Sequence, residues 1–244
     1  MRRFFVSEPL ADIVTITGED AHHITHVLRY KIGQYLIVVD GDGRIAKTEI
    51  TDIAEHTVVV KIIEYLEENT EAPIEVTLAQ CLPKSDKMDF IVQKAVELGV
   101  HRICPLMSEN CVVKYDHAKK EARQKKWQKI ANEAAKQCGR TLLPSVEPIA
   151  LLKDLFLELE HNVEVFMCYE GQADSSLKTL LETTMASKFL IIIGPEGGFS
   201  PAEVVLCKEN GAKVVTMGPR ILRTETASLA AVSLVMYQNG DLGG

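Results

Sequence analysis

A chain of 244 residues, 46% hydrophobic and with a formal charge of −7, has ample core for one large domain or two smaller ones. No apolar run approaches the roughly 20 residues a membrane span needs, and "MRRFFVSEPL" carries charge without a sustained apolar stretch, which predicts no signal peptide. The six cysteines, Cys81, Cys104, Cys111, Cys138, Cys168 and Cys207, are scattered without a C-x-x-C pair, which argues against a zinc site or disulfide framework and predicts mostly buried, reduced thiols in a cytoplasmic protein.

The first 65 residues are β-rich. The segments 12–17, 35–40, 44–53 and 56–65 are short and rich in β-branched residues, with "DGDG" as a turn between two of them. A helix is predicted over 19–28, "EDAHHITHVL". Residues 66–74, "LEENTEAPI", are polar and acidic and read as a linker. Beyond it the rhythm alternates. Strands are predicted over 74–81, 102–107, 163–168, 189–193 and 213–217, with helices between them. One carries Met88, Ile91, Val92, Ala95, Val96 and Leu98 at helical spacing before Gly99 stops it, and a basic one runs over 117–138. This pattern predicts an α/β domain with a mostly parallel sheet, covered on both faces, and ligands beyond the carboxyl ends of its strands.

Two stretches share one layout of strand, glycine-rich turn and helix start. In "IIIGPEGGFS" (191–200) the glycines lack both dinucleotide-fingerprint spacing and the P-loop Lys-Ser/Thr, and the Glu196 carboxylate would repel a phosphate. Ser200, Pro201 and Glu203 predict an N-cap, a first-turn proline and a capping box. In "MGPRILRTETASLA" (217–230), Thr224 is a candidate N-cap with Glu225 in the first turn. Arg220 and Arg223 stand just before them, as surface charge, as partners of Glu225 or as functional groups. Between 114 and 140 the chain holds nine basic residues against three acidic ones, either a solvated helix face or a phosphate-contacting strip. His22 and His26 have a metal-compatible spacing, but His23 replaces the glutamate of H-E-x-x-H and no third ligand is evident, so no metal is expected.

"IGPEGGFS" together with "MGPRILRTETA" resembles the paired C-terminal motifs of the SPOUT superfamily of RNA methyltransferases. The chain is most similar to the ribosomal RNA small-subunit methyltransferase E family, whose members methylate N3 of a uridine near the decoding site of 16S rRNA. "HHITHVLR" (22–29), "DKMDFIVQKAVELGV" (86–100), "WQKIANEAAKQCGR" (127–140) and Pro144 follow that family's order. The resemblance implies a PUA-like β-barrel RNA-binding domain over 1–72 and an α/β SPOUT domain over 73–244 with a trefoil knot. It also implies a homodimer acting on 16S rRNA or the small subunit and S-adenosyl-L-methionine as methyl donor; the residues themselves predict no membrane span and no metal.

The matching donor-site residues are Gly194, Pro195, Glu196, Gly197, Gly198, Met217, Gly218, Ile221, Leu222, Thr224, Thr226 and Ala227, with the loop around Tyr169 and Glu170 as a third wall. For catalysis, positive charge must stabilise the anion left when uridine N3 loses its proton. Arg223 is the first candidate and Arg140 the second, with Glu225 as a base. Arg29, Lys84, Lys125 and Lys126 are expected on RNA. Three positions depart from the family pattern: Ser85 replaces a usual glycine, Asn110 a common arginine and Lys136 a glutamate. They are expected to bear on details of RNA contact more than on the chemistry. An RNA-binding protein without catalysis is the competing expectation.

Overall fold

The computed structural model describes residues 1–157, 159–160 and 162–244. They form two compact units, one of Met1–Glu71 with Ala135–Leu143, the other of Ala72–Ala134 with Pro144–Gly244.

The first unit holds β1 (Arg3–Phe5), β2 (Ile13–Thr17), α1 (Gly18–His22), β3 (Tyr35–Val39), β4 (Ile45–Ile53) and β5 (Thr57–Leu66). The strands run in the order β1-β3-β4-β5-β2, so the expected barrel is a curled half-barrel with β1 and β2 as its end strands. Breaks in register between β4 and β5, at Lys47/Thr48 and Ile50/Asp52, supply curl, as bulges bend and twist a pair. Alternate residues turn inward, including Val14 and Ile16 of β2 and Val58 and Val60 of β5, onto a core with Ile24, Leu36, Val38 and Ile50. The "DGDG" turn closes on Asp40, whose carboxylate accepts from the amides of Leu10, Asp42 and Arg44 at 2.9–3.1 Å.

Three local features differ from expectation. The helix predicted over 19–28 is α-helical only to His22, and His23–Val27 form a π-helical turn. Thr25 is the physical reason: its hydroxyl donates to the Ala21 carbonyl at 2.9 Å and competes with the regular ladder. The stretch 66–74 is more than a connector, because Glu71 accepts from the amides of Thr141 (2.8 Å) and Leu142 (3.0 Å) and from the Arg140 guanidinium. This carboxylate ties residues 140–142 to the first unit, together with Arg3 and Thr70, which donate to the Gly139 carbonyl at 2.6 and 2.8 Å. β1, three residues long, is too short to carry a period.

The second unit is built on an eight-stranded sheet. Its strands are β6 (Glu75–Cys81), β7 (Arg102–Met107), β8 (Ser145–Val146), β9 (Ala150–Leu151), β10 (Glu164–Cys168), β11 (Ser175–Ser176), β12 (Lys188–Ile193) and β13 (Lys213–Thr216). Its helices are α2 (Lys87–Glu97), α3 (His117–Cys138, whose last turn clusters with the first unit), α4 (Leu177–Leu181), α5 (Pro201–Glu209) and α6 (Thr224–Asn239). The order is β11-β13-β10-β12-β6-β7-β8, with β9 beside β7, and every pairing is parallel. The strands β6, β10 and β12 are buried after their first residue, as a sheet covered on both faces requires. Gly99, at φ 92, ends α2 in the left-handed region that glycine enters without a Cβ penalty. Two-residue β8, β9 and β11 again carry no sequence period. Among the described residues no helix is long and apolar enough to cross a membrane.

Candidate functional site

The central strands β13, β10 and β12 lie side by side and end at one edge of the sheet. Their C-terminal loops line one cavity of about 270 Å³. β10 contributes Cys168, Tyr169 and Glu170; β12 contributes Ile193, Gly194, Pro195 and Glu196; the segment after β13 contributes Met217, Arg220, Ile221, Leu222, Arg223, Thr224 and Ala227. This is where parallel sheets place ligands. Of the residues expected around the donor, Gly197, Gly198, Gly218 and Thr226 do not line the cavity.

The loop after β12 is held from all sides. Ser200 accepts from the Glu203 amide and Glu203 answers on the Ser200 amide, the predicted capping box with Pro201 at the helix start. Glu196 accepts from the Lys84 amide at 3.2 Å and the Lys87 ammonium at 2.9 Å. Burial raises its carboxyl, but the Lys87 bond, backbone amides and Lys87's charge outweigh that and hold it below the ordinary value. The glycines serve close approach as well as conformation. Gly198 is at φ 67 under the Glu170 carboxylate, and a Cβ on Gly197 would stand 3.0 Å from Asn110 Cβ and 3.2 Å from its carbonyl oxygen.

Asn110 Nδ2 also donates to the carbonyls of Gly197 and Gly198, both at 3.2 Å. Asn110, expected to bear on details of RNA contact, thus also braces the loop itself. Ser85 stands at φ 58, which explains why glycine suits that position. Lys136 pairs with Asp20 at 2.6 Å within the first unit.

The segment after β13 is far less supported. Thr216 and Gly218 bond each other, Arg220 and Arg223 are exposed, and Ile221 is 84% exposed. Its next anchor is Thr224, which is not the N-cap expected; Arg223 occupies that position and Thr224 opens α6. The Thr224 hydroxyl is drawn inward instead. It donates to the Gly194 carbonyl at 2.7 Å and accepts from Gln80 Nε2 at 3.0 Å. Gln80 is fully buried on β6 and also accepts from the Ser228 hydroxyl of α6. This network joins both motifs to the middle of the sheet. A glutamine inside an apolar strand run was its only trace in sequence.

Glu225 does not line the cavity. Its Oε2 meets Lys87 Nζ at 3.1 Å as an ion pair rather than a directed hydrogen bond. Burial raises its carboxyl, yet its own backbone amide, Lys87 and the charge of Arg223 bring it below the ordinary value. Lys87, unremarked in the sequence, thus joins Glu196 and Glu225. Cys168 faces the cavity as a thiol, pushed by burial up to about 12.

Arg140 lies elsewhere, in the first unit, 4% exposed and bonded through Nε and Nη2 to Glu71. Lys84 and Lys125 are exposed, and Lys126 pairs with Asp89, which also accepts from Trp127 Nε1 at 3.0 Å. Arg29 is exposed at φ 55. His22 and His26 stack with ring centroids 4.3 Å apart, and no group of three metal-ligating side chains occurs among the described residues.

Residues 70–236 match the RNA methyltransferase domain family, and residues 16–63 match the RNA methyltransferase PUA domain. The chain is 36% identical to ribosomal RNA small subunit methyltransferase E of Bacillus subtilis, covering 100% of this chain and 99% of the relative. The protein of that name from Buchnera aphidicola is 33% identical, with 93% of this chain and 88% of the relative covered. A crystal structure of the Neisseria gonorrhoeae ribosomal RNA small subunit methyltransferase E, bound to S-adenosyl methionine, superposes with a TM-score of 0.90 at 31% identity over 99% of both chains. The chain belongs to the ribosomal RNA small subunit methyltransferase E family.

Proposed function

We propose that this chain binds S-adenosylmethionine in the cavity beyond β10, β12 and β13 and methylates N3 of a uridine near the decoding site of 16S rRNA. The observation that carries the reading is the convergence of Gly194–Glu196, Tyr169–Glu170 and Met217–Thr224 on one cavity. The residues fit the donor. Glycine turns offer backbone amides and carbonyls to an adenine edge. Met217, Ile221 and Leu222 offer apolar contact to its face, and the exposure of Ile221 leaves it free to make it. Bound there, S-adenosylmethionine supplies an electrophilic methyl group on a sulfonium.

The chain's own task is to orient the acceptor and stabilise it as an anion. Uridine N3 carries its proton at neutral pH, and the proton must leave, ultimately to water, before or as the N–C bond forms. Arg223 stabilises charge spread onto the ring carbonyls, a role its exposure at the cavity supports. Glu225, held below the ordinary carboxyl value, is a weak base, so its role is read as electrostatic. Arg140, buried against Glu71, is read as a clamp of the 139–143 segment. Arg29, Lys84, Lys125 and Lys126 are assigned to rRNA phosphates, where local rather than net charge decides.

The same reading takes the protein as a cytoplasmic homodimer with a knotted C-terminal path and a domain boundary near residue 72. The exposed Leu234 and Tyr237 of α6 support a partner surface, and the Gln80 bonds to Thr224 and Ser228 support an α6 whose start is held against β6.

Calorimetry with S-adenosylmethionine tests the site: one donor per chain is expected, and no heat of binding rules the site out. Methyl transfer to small-subunit rRNA, read by mass spectrometry of nucleosides, tests the reaction. N3-methyluridine is expected; methylation at another atom keeps the donor site and removes the acceptor assignment.

A further inference from the structure

Lys87, the first residue of α2, joins two carboxylates that the sequence holds far apart. Its Nζ is 2.9 Å from Glu196 Oε1, in the loop after β12, and 3.1 Å from Glu225 Oε2, in the first turn of α6. Lys87 does not line the cavity, whereas Glu196 does and Glu225 directly follows the lining residues Arg223 and Thr224. We propose that Lys87 is a positioning residue for methyl transfer, clasping the loop after β12 to the start of α6 and neutralising carboxylate charge beside the place where the acceptor turns anionic. This rests on the methyl-transfer reading of the cavity.

The charge arrangement explains why an ammonium is needed there. Glu196, Glu225 and Glu170 bring carboxylates to or beside the cavity, and Arg220 and Arg223 bring guanidiniums. On α2 itself, Asp89 is committed to Lys126 and Trp127. Without Lys87, Glu196 and Glu225 would repel a developing uridine anion, offsetting Arg223. They would also repel each other and loosen the loop. The pairing with Glu196 first, then with Glu225, raises the Lys87 ammonium above its ordinary value, so it stays charged through the neutral range.

The test uses full-length Lys87→Met and Lys87→Arg, with turnover measured against pH at saturating S-adenosylmethionine and rRNA. Lys87→Met is expected to lower kcat about tenfold at pH 7 and to move the rising limb of the profile up by about one pH unit, the size of shift a neighbouring unit charge commonly produces. Lys87→Arg should keep the limb in place. An unmoved limb, including an equal loss at every pH, overturns the electrostatic role.

Hydrogen exchange of the loop amides, with no donor or RNA present, reads the clasp separately. Lys87→Met should speed exchange of the Gly198 amide, which bonds the Pro195 carbonyl, about tenfold; unchanged exchange overturns the clasp. If the wild-type protein transfers no methyl group, the methyl-transfer reading fails and with it the catalytic role of Lys87, while exchange still decides the clasp. Lys87→Gln replaces Lys87→Met in both measurements should that variant not fold.

Discussion

The loops after β12 and β13 share a layout and face one cavity, yet they are built in opposite ways. The first is over-determined: Glu196 is tied to Lys84 and Lys87, Asn110 holds the carbonyls of Gly197 and Gly198, and a capping box starts α5. The second runs exposed from Gly218 to Ile221 and is fixed again only at Thr224. The difference separates two tasks. A preformed wall presents backbone edges at fixed positions and pays no ordering entropy when a ligand arrives. A wall with exposed Ile221 and two exposed arginines can still adapt to what binds it.

Four substitutions probe that contrast. The largest effect is expected on the adaptable wall, where Arg223→Ala should lower turnover by about 100-fold, the usual loss of one charge-stabilising donor, while calorimetry shows donor affinity nearly kept. Lost donor binding instead would make Arg223 a cofactor ligand. Next, Thr224→Val removes the hydroxyl that joins Gln80 to Gly194. Leaving buried Gln80 Nε2 and the Gly194 carbonyl short of a partner should cost about 2 kcal/mol in denaturant unfolding. A cost below about 0.5 kcal/mol would show that the network does not hold the walls together.

On the fixed wall, Gly197→Ala places a Cβ 3.0 Å from Asn110 Cβ, and the overpacking should cost about 1 kcal/mol of stability together with some donor affinity. Full tolerance would mean this wall is softer than its bonds imply. The smallest effect is expected for Ile221→Ala. Being 84% exposed, Ile221 should leave stability unchanged within about 0.5 kcal/mol, while donor affinity falls several-fold if the side chain is covered by ligand. A loss of stability without any loss of affinity would assign Ile221 to packing.

Legibility in the sequence followed the range of the interactions involved. The helix 117–138 and the strand 102–107 agree with α3 and β7 residue for residue, because periodicity over six residues or more is a local signal. The Ser200-Pro201-Ala202-Glu203 cap was legible for the same reason, as its bonds span three residues. The π-helical turn at His23–Val27 and the two-residue strands were not, since one side-chain bond or one neighbouring strand decides them.

The site divides in the same way. Its motif residues were visible as glycine-rich turns at strand ends. The roles of Lys87, Gln80 and Asn110 in holding those turns were not, because each acts across about 90 to 150 residues of chain.

By itself the sequence determined the α/β alternation, the β-rich beginning, the absence of a phosphate-binding fingerprint and the family to which the two loops belong. Only the tertiary structure decided that Glu196 is neutralised by Lys87, that Thr224 turns inward rather than capping its helix, and that Arg140 is committed to Glu71. Propensity and spacing act along the chain. Which carboxylate meets which cation depends on where separate strands end in space.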